Sequence, residues 1–265
     1  MREAQQTAGG RNIRLLIAYD GTDFSGWQRQ DGGSFSGGPA RRTVQGVLEA
    51  ALETMHGRRT PLTGAGRTDA GVHAAGQVAN FYTTIERIPA GRFVPALNGL
   101  LPQDLRILEA RETRLDFHAR FDARSRTYRY QLICGRPALP HELRYALQLR
   151  RRPRIERLND YSRLLLGERD CSLFAGSGDS SESRFRYISR CHFFVRGDTL
   201  VFEISANAFL WKMVRSILGT LLFFEERDLG LQALREALET GERRLAGPTL
   251  PGRGLFLWNI EYYRD

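Results

Sequence analysis

The chain has 265 residues, 42% of them hydrophobic and 26% charged, which suits one large domain or two half-sized ones sharing a core. No apolar run approaches the roughly 20 residues of a membrane span, and "MREAQQTAGG" lacks the apolar segment of a signal peptide, so a cytoplasmic protein is expected. Thirty-nine Lys+Arg against 30 Asp+Glu leave a formal charge of +9, which favours a polyanionic partner.

In chain order, Ile13, Leu15, Ile17 and Tyr19 fall on one face at period two and predict a strand. "GGSFSGGPARR" follows as a small, polar loop. Val44, Val47, Leu48, Ala51, Leu52 and Met55 recur at helical spacing, with Thr43 placed to cap the start and Gly57 beyond the end. "QVANFYTT" reads as a strand, "AGRFVPALNGLL" as a short helix and "DLRILEAR" as another strand. The second half repeats the theme. "TYRYQLI" is a strand and "RIERLNDYSRLLLG" a helix, and a hairpin turns at Gly197-Asp198. Leu210, Met213, Val214, Ile217, Leu218 and Leu221 outline a further helix. "LGLQALREALETG" and "GLFLWNIEYY" close the chain as helix and strand.

This order predicts an α+β protein of two similar halves, 11–110 and 111–265, with a groove between them for a polyanion. Polar, irregular sequence marks the boundary, where Arg111, Arg114, Arg120, Arg124, Arg126 and Arg129 concentrate; "RRPRIER" adds a second basic run. Lys212 is the only lysine, so the excess charge is almost wholly guanidinium, a group that forks onto phosphates and stacks on bases. Cys134, Cys171 and Cys191 are widely spaced, with no metal-ligand or disulfide pattern.

The chemistry-bearing candidates centre on "TGAGRTDAGVHAAGQ". Asp69 sits there among glycines and alanines. In isolation such an aspartate bonds its own turn or caps a helix; beside Arg67 it would be kept ionised, which suits a nucleophile and equally a simple surface ion pair, the commoner arrangement. The stretch is neither a phosphate loop of the Walker type nor a dinucleotide fingerprint. His73 and His118 have no metal-binding neighbours in sequence and read as structural. Tyr128 alternates with Arg126 and Arg129 in "RTYRYQL", either as a core tyrosine or as a platform for a nucleobase. Arg215 edges an apolar helical stripe, where an arginine snorkels to solvent or pairs with an acid.

Taken together, "YDGTDFSGWQRQ", "GAGRTDAGVHAAGQV", "FHARFDARSRTYRY", "LLGERD" and "NAFLWKMVRSILG" resemble, in this order, the tRNA pseudouridine synthases of the TruA type, across about Ile13 to Tyr262. The resemblance implies the pseudouridine-synthase fold, a mixed, mostly antiparallel sheet with flanking helices and two similar subdomains around a basic cleft. It implies isomerisation of uridine at positions 38–40 of the tRNA anticodon stem-loop, by a homodimer that needs no metal or cofactor. Asp69 then matches the catalytic aspartate. Arg67 helps hold the flipped nucleotide, Tyr128 stacks on the target base and Arg215 is placed to pair with the aspartate. The chain departs from the family at Trp211-Lys212 and at Arg253. Arg169 and Cys171 replace the usual histidine and phenylalanine after "LLG", and the loop after Gln30 is longer. A non-catalytic RNA-binding protein on the same scaffold is the rival expectation; a hydrolase using Asp69 with His73 lacks a second catalytic group.

Overall fold

A computed structural model describes residues 10–29 and 41–263; the expected loop after Gln30 lies outside them. The alternation of the first apolar run is realised as strand β1 (Arg11–Tyr19), with Ile13, Leu15 and Ile17 fully buried. Helix α1 (Val44–His56) follows. The Thr43 hydroxyl accepts the Gly46 N–H at 3.3 Å, and Gly57 turns left-handed at φ 66° to end the helix. A two-residue β2 (Thr63–Gly64) leads to β3 (His73–Thr83), α2 (Phe93–Asn98) and β4 (Leu105–Thr113).

Downstream come β5 (Ala123–Ile133), the short β6 (Leu147–Gln148), α3 (Ile155–Arg163), β7 (Gly167–Asp170) and the β8–β9 hairpin (Phe185–Arg196, Thr199–Ala206). Helices α4 (Met213–Glu226) and α5 (Leu231–Thr240) then precede β10 (Leu255–Tyr262). Among the described residues, no helix is long and apolar enough to cross a membrane.

Two compact units emerge. One holds the described residues up to Arg124 with those from Leu257 onward; the other is Ser125–Phe256. Compared with the expected halves, 111–124 and the end of β10 lie with the first unit. The reason is pairing: β4 runs antiparallel to β1 as far as Asn12↔Thr113, and Phe117 packs against Tyr262 with ring centroids 5.2 Å apart.

In the first unit the strand order is β4-β1-β3-β10, with β1 antiparallel to both β4 and β3. Phe81 of β3 meets the α1 terminus through His56 and α2 through Phe93, at 5.9 and 5.5 Å between ring centroids. In the second unit the order is β5-β9-β8-β7, all neighbours antiparallel, with β6 parallel to β5. Helix α3 is stitched to β8 by one side chain: the Asn159 amide donates to Phe193 O at 3.1 Å and accepts from Phe193 N at 2.7 Å.

The basic run before α3 has a structural job. Glu225 of α4 is 1% exposed and accepts hydrogen bonds from Arg151 and Arg154, while Asp228 binds Arg154 and Arg157. Burial raises the Glu225 carboxyl, but these bonds outweigh it and hold the group below its ordinary range. Three arginines of the expected second basic run thus tie the start of α3 to the end of α4.

Candidate active site

Asp69 is half-buried on the loop between β2 and β3, and the backbone on either side of it is held from several directions. Ala65 N donates to Val78 O at 2.8 Å, and the Gln77 amide donates to Gly66 O at 2.9 Å. Thr68 is fixed twice. Its hydroxyl shares a 2.8 Å hydrogen bond with the Tyr19 hydroxyl, and its carbonyl accepts the Trp27 N–H at 3.0 Å. Val72 N closes a turn onto Asp69 O at 3.2 Å.

The segment after β1 presses directly on this loop, which explains the glycines of "YDGTDFSGW". Gly26 adopts φ +97°, and a Cβ there would stand 2.7 Å from Thr68 O. A Cβ on Gly21 would run into the Val72 carbonyl. Burial drives the Tyr19 hydroxyl well above the ordinary phenol range, against the opposing hydrogen bonds to Thr68 and Gln77, so it stays a neutral O–H. Sequence reasoning placed Tyr19 on the core face but missed this bond to Thr68, 49 residues on. The signal available was a tyrosine ending an otherwise aliphatic buried stripe.

Arg67 is exposed, and its Nε donates to Gln28 Oε1 at 3.1 Å, so Gln28 helps orient it. His73 is fully buried at the start of β3. Its Nδ1 accepts the Gly21 N–H at 3.0 Å and lies 3.2 Å from Asp20 Oδ1. It thereby joins the two segments that flank Asp69. His118 Nδ1 accepts the Arg120 and Phe121 N–H groups in a turn.

In the second unit, Tyr128 lies on β5 opposite Ile204, 8% exposed, with the edge of Phe209 against its ring at 5.2 Å. Tyr130, two residues on, is fully buried and donates its hydroxyl to Pro251 O at 2.9 Å. Burial pushes that phenol up, with the guanidinium charges of Arg215 and Arg253 pulling the other way. Arg215 is half-buried near the start of α4, and its Nε donates to Leu250 O at 2.6 Å. Arg215 therefore neither snorkels free nor stands alone; it braces the segment that also receives Tyr130. The departure at Arg253 adds charge beside the same tyrosine.

The boundary arginines divide by role. Arg129 and Arg190 both bind the buried Glu203, at 2.6 and 3.1 Å. Burial raises the Glu203 carboxyl, yet the two guanidinium hydrogen bonds win and keep it low. Arg126 donates to Asn207 O, while Arg120 and Arg124 lie over the rings of Phe121 and Tyr263. Among the described residues, no group of three or more His, Cys, Asp or Glu side chains could hold a metal ion.

The class these features define is an α+β protein of mostly antiparallel strands that carries a carboxylate on a tightly buttressed loop. A sequence profile of the family described as tRNA pseudouridine synthase matches residues 15–122 and 162–263. The chain is 49% identical over 255 residues to tRNA pseudouridine synthase A of Treponema denticola, covering 96% of this chain and 94% of that one. It is also 49% identical over 238 residues to the protein of that name from Treponema pallidum, covering 90% and 84%. The Brachyspira hyodysenteriae protein of the same name is 40% identical over 255 residues, covering 96% and 99%. This chain belongs to the tRNA pseudouridine synthase family.

Proposed function

We propose that the protein converts uridine to pseudouridine in tRNA, at positions 38–40 of the anticodon stem-loop, with Asp69 as the catalytic carboxylate. The observation that carries this reading is the fixed Gly64–Val72 loop, which presents Asp69 on immobilised backbone within the "GRTDAGVH" stretch of a family member. The reaction exchanges a C–N glycosidic bond for a C–C bond, so the uracil must leave the stack, detach, turn over and rejoin. A carboxylate serves as the nucleophile or as the base for a sugar proton, and either role requires it ionised. A loop already held in place spends no binding energy on ordering itself around the flipped nucleotide.

Arg67, Tyr128 and Arg215 are the proposed substrate contacts. Arg67 offers its guanidinium to the nucleotide while Gln28 holds its Nε. Tyr128 presents its ring to the base, and Arg215 supplies positive charge from the start of α4. The protein acts in the cytoplasm as a homodimer, and neither metal nor cofactor takes part in the proposed chemistry.

The test is to map pseudouridine by nucleotide in unmodified tRNA transcripts, using the intact protein and Asp69→Asn. Product in the anticodon stem-loop from the intact protein is expected, with a rate loss of at least about a thousandfold in the variant and tRNA binding retained. Binding without product from the intact protein, on several tRNAs, would make this a non-catalytic RNA-binding member.

A further inference from the structure

Strand β9 ends at Ala206, which pairs with Arg126 of β5 on one side and Ile188 of β8 on the other. The next residue, Asn207, is exposed, yet its backbone and its side-chain carbonyl are engaged by both neighbouring strands. Toward β8, its N–H donates to Tyr187 O and its Oδ1 accepts the Tyr187 N–H, both at 3.1 Å. The side-chain carbonyl thus does for Tyr187 what a backbone carbonyl does in a ladder. Toward β5, the Asn207 backbone carbonyl accepts Arg126 Nη1 at 2.7 Å. The same Oδ1 also takes the Ala208 N–H at 2.8 Å, which fixes the first bond beyond the strand.

Two residues further on, the half-buried Phe209 sets its edge against the Tyr128 ring, with centroids 5.2 Å apart and planes at 88°. Edge-to-face contact is a preferred aromatic geometry, so it resists rotation of either ring. A second anchor follows at Trp211, whose N–H donates to Asp179 Oδ2 at 2.5 Å and whose carbonyl accepts the Gly176 N–H at 2.9 Å. Phe209 is therefore held between fixed points at Asn207 and Trp211. Helix α4, with Arg215 in its first turn, begins directly after them.

We propose that Asn207 is a positioning residue: it holds Phe209 against Tyr128 and so fixes the ring that receives the flipped base. This deepens the proposed function and rests on it. Asn207 acts through Phe209 and Tyr128 and touches no reacting atom, so its contribution falls on the rate of the bound complex. The requirement is for a short side chain ending in an acceptor. Aspartate meets it, and leucine, of similar size, does not.

The test measures single-turnover pseudouridine formation at saturating tRNA, together with tRNA affinity, for the intact protein, Asn207→Leu, Asn207→Asp and Phe209→Leu. The two leucine variants should slow the bound step about tenfold, with Kd changed less than about twofold. Asn207→Asp should restore most of the rate, since a carboxylate oxygen still accepts both N–H groups. In a Tyr128→Leu background, Phe209→Leu should cost less than about twofold, because it acts through that ring. Equal losses in both backgrounds overturn the proposal, as does a loss of affinity with the rate intact. Phe209→Leu leaves every Asn207 bond in place, so it remains informative if Asn207→Leu folds poorly.

A second arm uses no RNA. Amide hydrogen exchange at Tyr187 and Ala208 should quicken in Asn207→Leu and stay slow in Asn207→Asp. Unchanged protection in Asn207→Leu overturns the clamp. Protection lost as expected, with no pseudouridine from the intact protein, would sink the proposed function and leave the clamp standing, so the two failures are told apart.

Discussion

Tyr19 shows how a single hydroxyl, far from Asp69 in sequence, supports the loop that carries it. Tyr19→Phe removes the bond to Thr68 and leaves the buried threonine oxygen short of a partner, at a cost of about 1–2 kcal/mol. The variant should show a lowered Tm and a reduced kcat with the KM for tRNA nearly unchanged. A change in KM alone would mean that Tyr19 shapes the RNA surface and not the loop. Asp69 itself was legible as a candidate because it sits among glycines and alanines two residues after Arg67, in the stretch that carries the family resemblance. Its support was not legible, since Tyr19, Trp27 and Gln77 reach the loop from other elements, and no local pattern marks a hydrogen bond spanning 49 residues. The arginines were partly misread for the same reason. Arg151, Arg154 and Arg157 look like a solvent-facing basic run until Glu225 and Asp228 arrive some 70 residues later to bind them.

Elements with their own periodicity and punctuation were recovered from sequence almost to the residue. The α1 helix carries an N-cap threonine and a left-handed C-terminal glycine, and β1 alternates without exception from Ile13 to Tyr19. Two helices differ at their ends for local reasons. Helix α4 begins at Met213, not near Leu210, because Lys212 takes a left-handed φ of 62°. Helix α3 stops at Arg163, since Leu164, Leu165 and Leu166 bond back by three residues instead of four. Strands β2, β6 and β7 escaped notice altogether; with two to four residues each, they exist only through their partners. At this scale the Glu225 cluster makes a sharp expectation. Glu225→Gln should cost about 2–3 kcal/mol, read by denaturant unfolding, because the buried carboxylate's charge-assisted bonds to Arg151 and Arg154 are weakened together.

For the molecule as a whole, the buried, lowered carboxyls of Glu203 and Glu225 contribute to the acid limb of stability, alongside lowered carboxyls nearer the surface such as Glu142 and Asp228. The folded values of Glu203 and Glu225 lie below the ordinary 4.5, so their contribution is complete above that pH and is lost as pH falls through the folded values. Unfolding free energy should be nearly flat from pH 5 to 7 and drop below pH 4.5, with Glu203→Gln flattening part of that limb. A drop of unchanged steepness in both Gln variants would assign the acid limb to other groups. The net charge of +9 makes a second expectation: tRNA affinity should fall steeply and linearly on a log–log salt plot. Arginines already committed to internal acids, such as Arg129, Arg151 and Arg154, should contribute little to that slope when replaced one at a time, whereas Arg67 should contribute close to one contact.

The closing strand has a consequence for how the chain is made. Residues from Leu257 belong with the first unit: Trp258 lies where a Cβ on Gly76 would strike its carbonyl at 2.5 Å, and Tyr262 donates to Ala119 O while Arg14 covers its ring. The second unit, Ser125–Phe256, is uninterrupted and can fold as it leaves the ribosome. The Asp69-bearing unit, although synthesised first, is completed only when the residues from Leu257 on have been made, on the order of ten seconds or more later at ordinary translation rates. A chain released early, lacking only the residues after Phe256, should keep a protease-resistant 125–256 fragment and lose the rest. Truncated products would then be cleared before they could occupy tRNA unproductively.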